Sequence, residues 1–394
     1  MRYSTTCLAV IATLFTTSAA GALEVNTGVL RVDYAEILPI SRYDLRPDDL
    51  GFAGAALADE DNATTGGFLG HEYRTTTTAA TPQDAATALE AMLSDGVRLV
   101  VIDARAPELV ALSDQAQAAG ALVLNTRAPD VALRGADCRA NLLHIAPSDA
   151  MKADAVAQFL VWKQWRNWLL VGGSNPEDLA LTEAYRNAAR KFGATIAGER
   201  QFQDTGGARR TDSGHVQVQQ QLPVFMQEAE PHDVVVAADA SDYFAAYLPY
   251  HLWTPRPVAG SAGLRPVTMH GAHEAWGATQ FQTRFERQNR RQVQEEDYNV
   301  WLALRVIGEA VTRTGSADPE AIREYVLSDA FELAAFKGQK VTFRDWNGQL
   351  RQPILLYDGR ITVSVSPQEG FLHQSSPLDT LGLDRPESAC TAFE

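Results

Sequence analysis

The run RLVVIDARAPELVALSDQAQAAGALVLNTR, Arg98 to Arg127, decides the fold. Arg98 to Asp103 ("RLVVID") is a short aliphatic run bounded by charge, which reads as a buried strand. A helix follows from Pro107 to Ala119, with proline in its first turn and Gly120 just past its end. Ala121 to Asn125 ("ALVLN") is aliphatic again. Strand, helix and strand at this spacing make a parallel-sheet unit, because parallel neighbours need a crossover that a helix supplies.

The same rhythm extends in both directions. Upstream, Val25 to Tyr34 reads as a strand, and Ser41 to Gly70 is polar, acidic and glycine-rich. Thr81-Pro82 opens a helix with Leu89, Met92 and Leu93 on one face, closed by Gly96. Downstream, the strand Asn141 to Ala146 leads into Pro147-Ser148-Asp149, and the series starts afresh. Helices are expected over Met151 to Trp165, Asp178 to Phe192, His215 to Ala229 and Asp242 to Tyr250. Strands are expected over Trp168 to Val171, Thr195 to Phe202, Asp233 to Ala237 and Pro257 to Gly260. A long helical stretch runs from Ala278 to Thr314. Lys340 to Val365 turns to strands, with turns at Asn347-Gly348 and Asp358-Gly359. Ser366 to Glu394 is irregular. Two α/β lobes, each a Rossmann-like parallel sheet, account for this order.

The chain has 394 residues, 45% hydrophobic and 21% charged, so it can bury substantial cores. Its 34 Lys and Arg against 49 Asp and Glu give a net charge of −15, which disfavours nucleic acid and anionic membrane as partners. Residues 1–22 read as an export signal: Arg2, the apolar run Cys7 to Phe15, and the small-residue exit Ala20-Gly21-Ala22. The apolar run is too short to span a bilayer, and Cys7 lies too early for a lipid-anchor cleavage site. Removal of the signal leaves Cys138 and Cys390, for which a disulfide is the default in an oxidising compartment. Such a bridge closes a long loop and is worth about 4–5 kcal/mol in the chain-entropy model.

Four stretches add a family resemblance: NLLHIAPSDAMKADAVAQFLVWKQWRNWLLV (Asn141 to Val171), AWGATQFQTRFE (Ala275 to Glu286), FRDWNGQLRQPILL (Phe343 to Leu356) and SPQEGFLHQSSPLDTLG (Ser366 to Gly382). With the order of elements, they resemble the ABC-transporter substrate-binding family that accompanies pyrroloquinoline quinone (PQQ)-dependent alcohol dehydrogenase systems. That family is of the type I periplasmic, leucine/isoleucine/valine-binding kind. The resemblance implies two lobes joined by a three-stranded hinge. Lobe I is then 23–147 with 276–336, lobe II 148–275 with 337–365, and 366–394 a tail clipped to lobe I. It also implies a soluble periplasmic protein that takes a small molecule between its lobes, meets an ABC permease and needs no cofactor.

In that fold the ligand sits at the carboxyl ends of strands. Asp103 and Arg105 follow one first-lobe strand; Asn125, Thr126 and Arg127 follow the next. Two guanidinium forks at successive strand ends suit carboxylates; the alternative is rim ion pairs with Glu108 or Asp130. Tyr34, Tyr243 and Trp276 are aromatic candidates for stacking a planar ligand. Ser174, Asp239 and Ser261 lie on second-lobe glycine turns. These residues suit a small anionic or aromatic ligand, with PQQ, a flat tricarboxylate, as one candidate and an aromatic acid or alcohol as another. A periplasmic sensor subunit on the same fold and a hydrolase are the alternatives. The enzymatic motifs fail on inspection: Gly172-Gly173-Ser174 runs into Pro176 instead of forming a nucleophile elbow. Asp59-Glu60-Asp61-Asn62 breaks the calcium-loop pattern at Ala63, and no P-loop or dinucleotide fingerprint occurs. His270, His273 and Glu274 lack a spaced partner to complete a metal site.

Overall fold

The computed structural model describes residues 22–35, 38–205 and 212–394. The export signal expected over 1–22 lies, but for Ala22, outside the described residues. Among the described residues no helix is long and apolar enough to cross a membrane.

The first sheet is built from β1 (Leu23–Val32), β2 (His71–Ala80), β3 (Leu99–Asp103), β4 (Leu122–Asn125) and β5 (Leu142–His144), all parallel, in the order β2-β1-β3-β4-β5. The helices α1 (Phe52–Leu69), α2 (Ala85–Ser94) and α3 (Ala106–Ala118) make its crossovers. Alternation along the strands sorts the side chains to two faces. Val29, Leu99, Val101, Leu122 and Leu124 enter one core, while Leu30, Val100, Ile102 and Val123 enter another beneath α2 and α3.

The chain then passes into α4 (Asp149–Trp162), whose N-cap Ser148 accepts a hydrogen bond from the Met151 N–H at 3.2 Å. The second sheet, in the order β7-β6-β8-β9, is also parallel and comprises β6 (Asn167–Gly172), β7 (Thr195–Gln201), β8 (Val234–Ala238) and β9 (Val258–Gly260). Here α5 (Pro176–Phe192), α6 (Asp212–Phe225) and the short α7 (Leu248–His251) intervene. Its two faces again carry separate cores, around Leu170 and Val236 on one side and Leu169 and Val235 on the other.

Beyond β10 (Arg265–Val267) the chain returns to the first core with α8 (Ala278–Asn289), α9 (Glu295–Thr314) and α10 (Pro319–Leu327). The strands β11 (Leu333–Ala334), β12 (Lys340–Phe343) and β13 (Leu350–Arg351) form a small antiparallel sheet. Its Leu333, Val341, Phe343 and Leu350 belong to the first core, so the last crossing, expected near Phe336, comes after Arg351. A further small sheet, β10 with β14 (Ile354–Tyr357) and β15 (Thr362–Ser366), lies at the joint. Ile354 and Leu356 pack into the second core and Leu355 into the first.

Three readings of the sequence need correction. The stretch Ser41 to Gly70, read only as polar, acidic and glycine-rich, contains α1, and β2 follows it. Small residues hide this helix, because it meets α9 backbone to backbone. A Cβ on Gly54 would stand 1.9 Å from the Asp297 carbonyl oxygen, and one on Gly308 of α9 2.1 Å from Asn62 Oδ1. The helix expected from Asp242 starts later, because Asp242 itself takes a left-handed φ of 53°. The long helical stretch Ala278–Thr314 is two helices, α8 stopping at Asn289 because Arg290 takes a left-handed φ of 57°.

The tail is tied down as the cysteine count implied. Cys138 and Cys390 form a disulfide with their Cα atoms 5.6 Å apart.

Candidate ligand-binding cleft

Strand order locates the site. Where neighbouring crossovers leave a parallel sheet on opposite faces, the loops at the carboxyl ends diverge and open a crevice. In the first sheet this switch falls between β1 and β3, and in the second between β6 and β8. The loops leaving these strands, with those leaving β4 and β7, line one cavity of about 520 Å³. Ala35, Asp44, Arg46, Arg105 and Arg127 come to it from the first lobe, three cations against one acid, and Asn175, Glu177, Asp204, Ser241 and Asp242 from the second. Of the other cavities, one of about 640 Å³ lies between Trp346 and the tail, and one of about 770 Å³ between α5, the tail at 382–387 and the loop at 130–132.

Tyr34, just past β1, organises the basic side. Its hydroxyl accepts a hydrogen bond from the Arg105 N–H at 2.8 Å and donates to the Glu108 carboxylate at 2.8 Å. Burial lifts its pKa, so it stays a neutral donor. The guanidinium centres of Arg105 and Arg127 lie 4.4 and 5.0 Å from the Tyr34 ring centre. Arg127 also reaches the buried Asp103 carboxylate at 3.3 Å. Burial raises the Asp103 pKa, while Arg127 draws it down. Arg105 has no carboxylate partner among the described residues, since Glu108 is engaged by Tyr34.

The other residues singled out from the sequence serve the loops. Asn125 is buried, and its Oδ1 accepts from the N–H groups of Arg127 and Ala128 at 3.0 and 2.9 Å. The Thr126 hydroxyl donates to the Ile102 carbonyl at 3.2 Å. Ser174 accepts from the Asp204 N–H at 2.9 Å, tying two second-lobe loops together. The Asp239 carboxylate accepts three backbone N–H groups, from Tyr243, Phe244 and Ala245, and its own N–H donates to Ser261 Oγ. Tyr243 is buried, its ring centre 6.0 Å from that of Phe202. Trp276 is 52% exposed but lies over Gly338, beside His273, and does not line the cleft. The structure therefore brings Arg105 and Arg127 together with Tyr34 as their support.

Sequence reasoning overlooked Arg46, Glu177, Asp204 and Asp242. Arg46 lies in the stretch read only as polar, acidic and glycine-rich. Asp204 follows the strand Thr195 to Phe202, and the strand-end rule that found Arg105 applies to it equally. The second-lobe wall is further organised by Asp178, which accepts from the N–H and hydroxyl of Ser241 at 2.8 and 2.9 Å; Asn175 Nδ2 donates to Ser241 Oγ at 3.0 Å.

At the joint, Lys152 of α4 and Glu295 of α9 form a salt bridge of 2.9 Å between the lobes. Lys337 is buried nearby, donating to Gln352 Oε1 at 2.6 Å and to the Pro353 carbonyl at 3.2 Å, and burial lowers its pKa to about 7.

His270 and His273, considered above for a metal, share the Thr362 hydroxyl at 2.8 and 2.9 Å. His273 Nε2 lies 3.1 Å from the Phe336 carbonyl and must donate to it, so its Nδ1 accepts the Thr362 proton. His270 Nε2 then donates to Thr362, which leaves His270 Nδ1 buried without a partner. Among the described residues no group of three His, Cys, Asp or Glu could hold a metal ion. Burial depresses both histidines, His270 to about 4. The unfolded chain takes up protons below about pH 6.5, whereas folded His270 resists until about pH 4 and the His273 pKa is lowered in the same direction. Stability is therefore lost as pH falls from 6.5 through 4. A His270→Gln variant is expected to lose less of its melting temperature over that window than the unaltered protein; equal losses in both would contradict this assignment.

A family model described as periplasmic binding protein matches residues 51–216. No curated protein matches the chain. Among solved structures, it resembles a branched-chain amino acid ABC transporter periplasmic ligand-binding protein from Burkholderia xenovorans LB400. The TM-score is 0.71 and the identity 16%, over 94% of this chain and 100% of the other. A leucine-, isoleucine-, valine-, threonine- and alanine-binding protein from Brucella ovis, in its closed conformation, matches with TM-score 0.67 and 14% identity, covering 86% and 90% of the two chains. A solute-binding protein from R. palustris in complex with benzoate matches with TM-score 0.64 and 11% identity, covering 93% and 99%. The fold is that of type I periplasmic binding proteins.

Proposed function

We propose that the chain is the ligand-capturing component of an ABC uptake system, working in the periplasm and closing its lobes on a small organic carboxylate. The observation that carries this reading is Arg105: a guanidinium laid on Tyr34, at a topological switch point, facing the second lobe across a cavity. Such a fork is preorganised for two parallel hydrogen bonds to a carboxylate. The acids on the opposite wall orient the ligand with its anionic end toward the first lobe. The fold of the benzoate-bound neighbour supports an aromatic acid as one ligand class, and PQQ remains a member of the same class.

Stacking contributes less to this reading than charge. Both guanidinium groups already lie against Tyr34, Tyr243 is buried and Trp276 is outside the cleft. Calorimetry of the purified protein against benzoate, PQQ, benzyl alcohol and leucine tests the assignment. Heat of binding is expected for a carboxylate and not for benzyl alcohol. Binding of the alcohol alone would reject the anionic reading.

A further inference from the structure

The C-terminal tail holds both lobes. Residues 366–382 are anchored to the second lobe, where the Ser366 hydroxyl donates to the Ala155 carbonyl at 2.8 Å. Gln158 of α4 donates to Thr380 Oγ1 at 2.8 Å and accepts from the Gln368 N–H at 2.9 Å. The Gly382 N–H donates to Asp154 at 2.7 Å, and Lys191 of α5 donates to the Gly382 carbonyl at 2.8 Å. Leu381 is part of the second core.

The same stretch already meets the first lobe, where the Asp379 carboxylate accepts from Arg344 at 2.9 Å and Arg351 at 2.8 Å, and a few residues later the tail is fastened there covalently. The Ser388 hydroxyl donates to the Arg134 carbonyl at 2.9 Å, Cys390 is bonded to Cys138, and Phe393 packs against the first core. The link between the two sets of anchors is short and already folded. Asp384 caps a turn over Arg385–Glu387, and Glu387 accepts the Asp384 N–H in return at 2.9 Å.

We propose that this tail is a fourth connection between the lobes, closed by the disulfide, which limits how far the cleft opens. The inference rests on the reading of the chain as a protein whose lobes move. Three chain crossings alone leave the lobes free to bend and twist about the joint, as hinge closure requires. The link from Gly382 to Ser388 can reach no more than about 20 Å even when fully extended. Its ends are held by buried hydrogen bonds on one side and a covalent bond on the other. Opening must part Asp379 from its two arginines and unfold the capped turn, and then stops when the covalently held link is taut. The link leaves the second lobe beside the first crossing, since a Cβ on Gly382 would stand 2.6 Å from Met151 Cγ and 3.6 Å from Ser148 Oγ. It therefore braces the joint itself.

The test uses the full chain without ligand. Spin labels carried on ketone-bearing residues at the exposed positions Thr87 and Gln227, one in each lobe, report the inter-lobe distance by pulsed dipolar spectroscopy. Two altered forms are compared with the unaltered protein: Cys138→Ser with Cys390→Ser, and a chain with a specific protease site inserted between Glu387 and Ser388, cleaved after folding. The cleaved form keeps the disulfide and all anchors, so it decides the matter if the cysteine variant fails to fold. Cleavage is expected to broaden the distance distribution and shift it to longer values. A distribution unchanged by cleavage overturns the proposal. Because no ligand is present, that failure is separate from failure to bind a carboxylate, which bears on the function alone.

Discussion

Replacing Asp379 with alanine is expected to cost about 3–5 kcal/mol of stability, the penalty for stranding a buried charge whose partner has been removed. The Asp379 carboxylate is fully buried and receives Nε of both Arg344, at 2.9 Å, and Arg351, at 2.8 Å. Arg344 is only 1% exposed and spends its other donors on the carbonyls of Leu378, Leu381 and Leu383. Burial lowers the Arg344 pKa and Asp379 opposes that shift, so removing the acid leaves an uncompensated cation. Asp379→Asn keeps an acceptor oxygen and should lose less. Denaturant unfolding with the disulfide intact measures both variants; a loss below about 1 kcal/mol for Asp379→Ala, the range of an exposed pair, would show that the knot contributes little.

Arg105→Ala is expected to weaken binding of a carboxylate ligand by about 2–5 kcal/mol, because the bound anion loses its charged partner in a closed cleft. Arg105→Lys should also weaken it, since a point charge cannot reproduce two parallel hydrogen bonds. The melting temperature should hardly change, because the Arg105 side chain makes no ion pair in the unliganded protein among the described residues. Arg127→Ala should behave differently. It takes from the buried Asp103 carboxyl the cation it is bonded to, leaving the more weakly acting Arg46 and Arg31, so stability and affinity fall together. Calorimetry with parallel melting curves separates the two arginines, and unchanged affinity in Arg105→Ala would remove the carboxylate from the account.

The part of the fold with large aliphatics was legible in the sequence. The strand, helix and strand between Arg98 and Asn125 appear as Leu99–Asp103, Ala106–Ala118 and Leu122–Asn125. The α1 helix and the β2 strand were not legible, because glycine and alanine pack α1 against α9 by close approach and β2 is a threonine-rich edge strand without an aliphatic run. The strand-end rule found the two arginines of the cleft. At Asn125, Asp239 and Ser261 the side chains bond to nearby backbone N–H groups, as short polar side chains in loops commonly do. The disulfide followed from a cysteine count and a compartment. The second-lobe anchors of the tail did not, because Asp154, Gln158 and Lys191 lie on two helices far from it in sequence and carry no local pattern.

Closure on a carboxylate without chemical change is the central claim, and small-angle scattering tests it most directly. The purified protein is measured alone and at saturation with whichever of benzoate and PQQ binds more tightly by calorimetry, and the ligand is recovered afterwards for chromatography. A smaller radius of gyration with the ligand recovered intact is the predicted result; binding without compaction, or recovery of a converted product, would contradict the account.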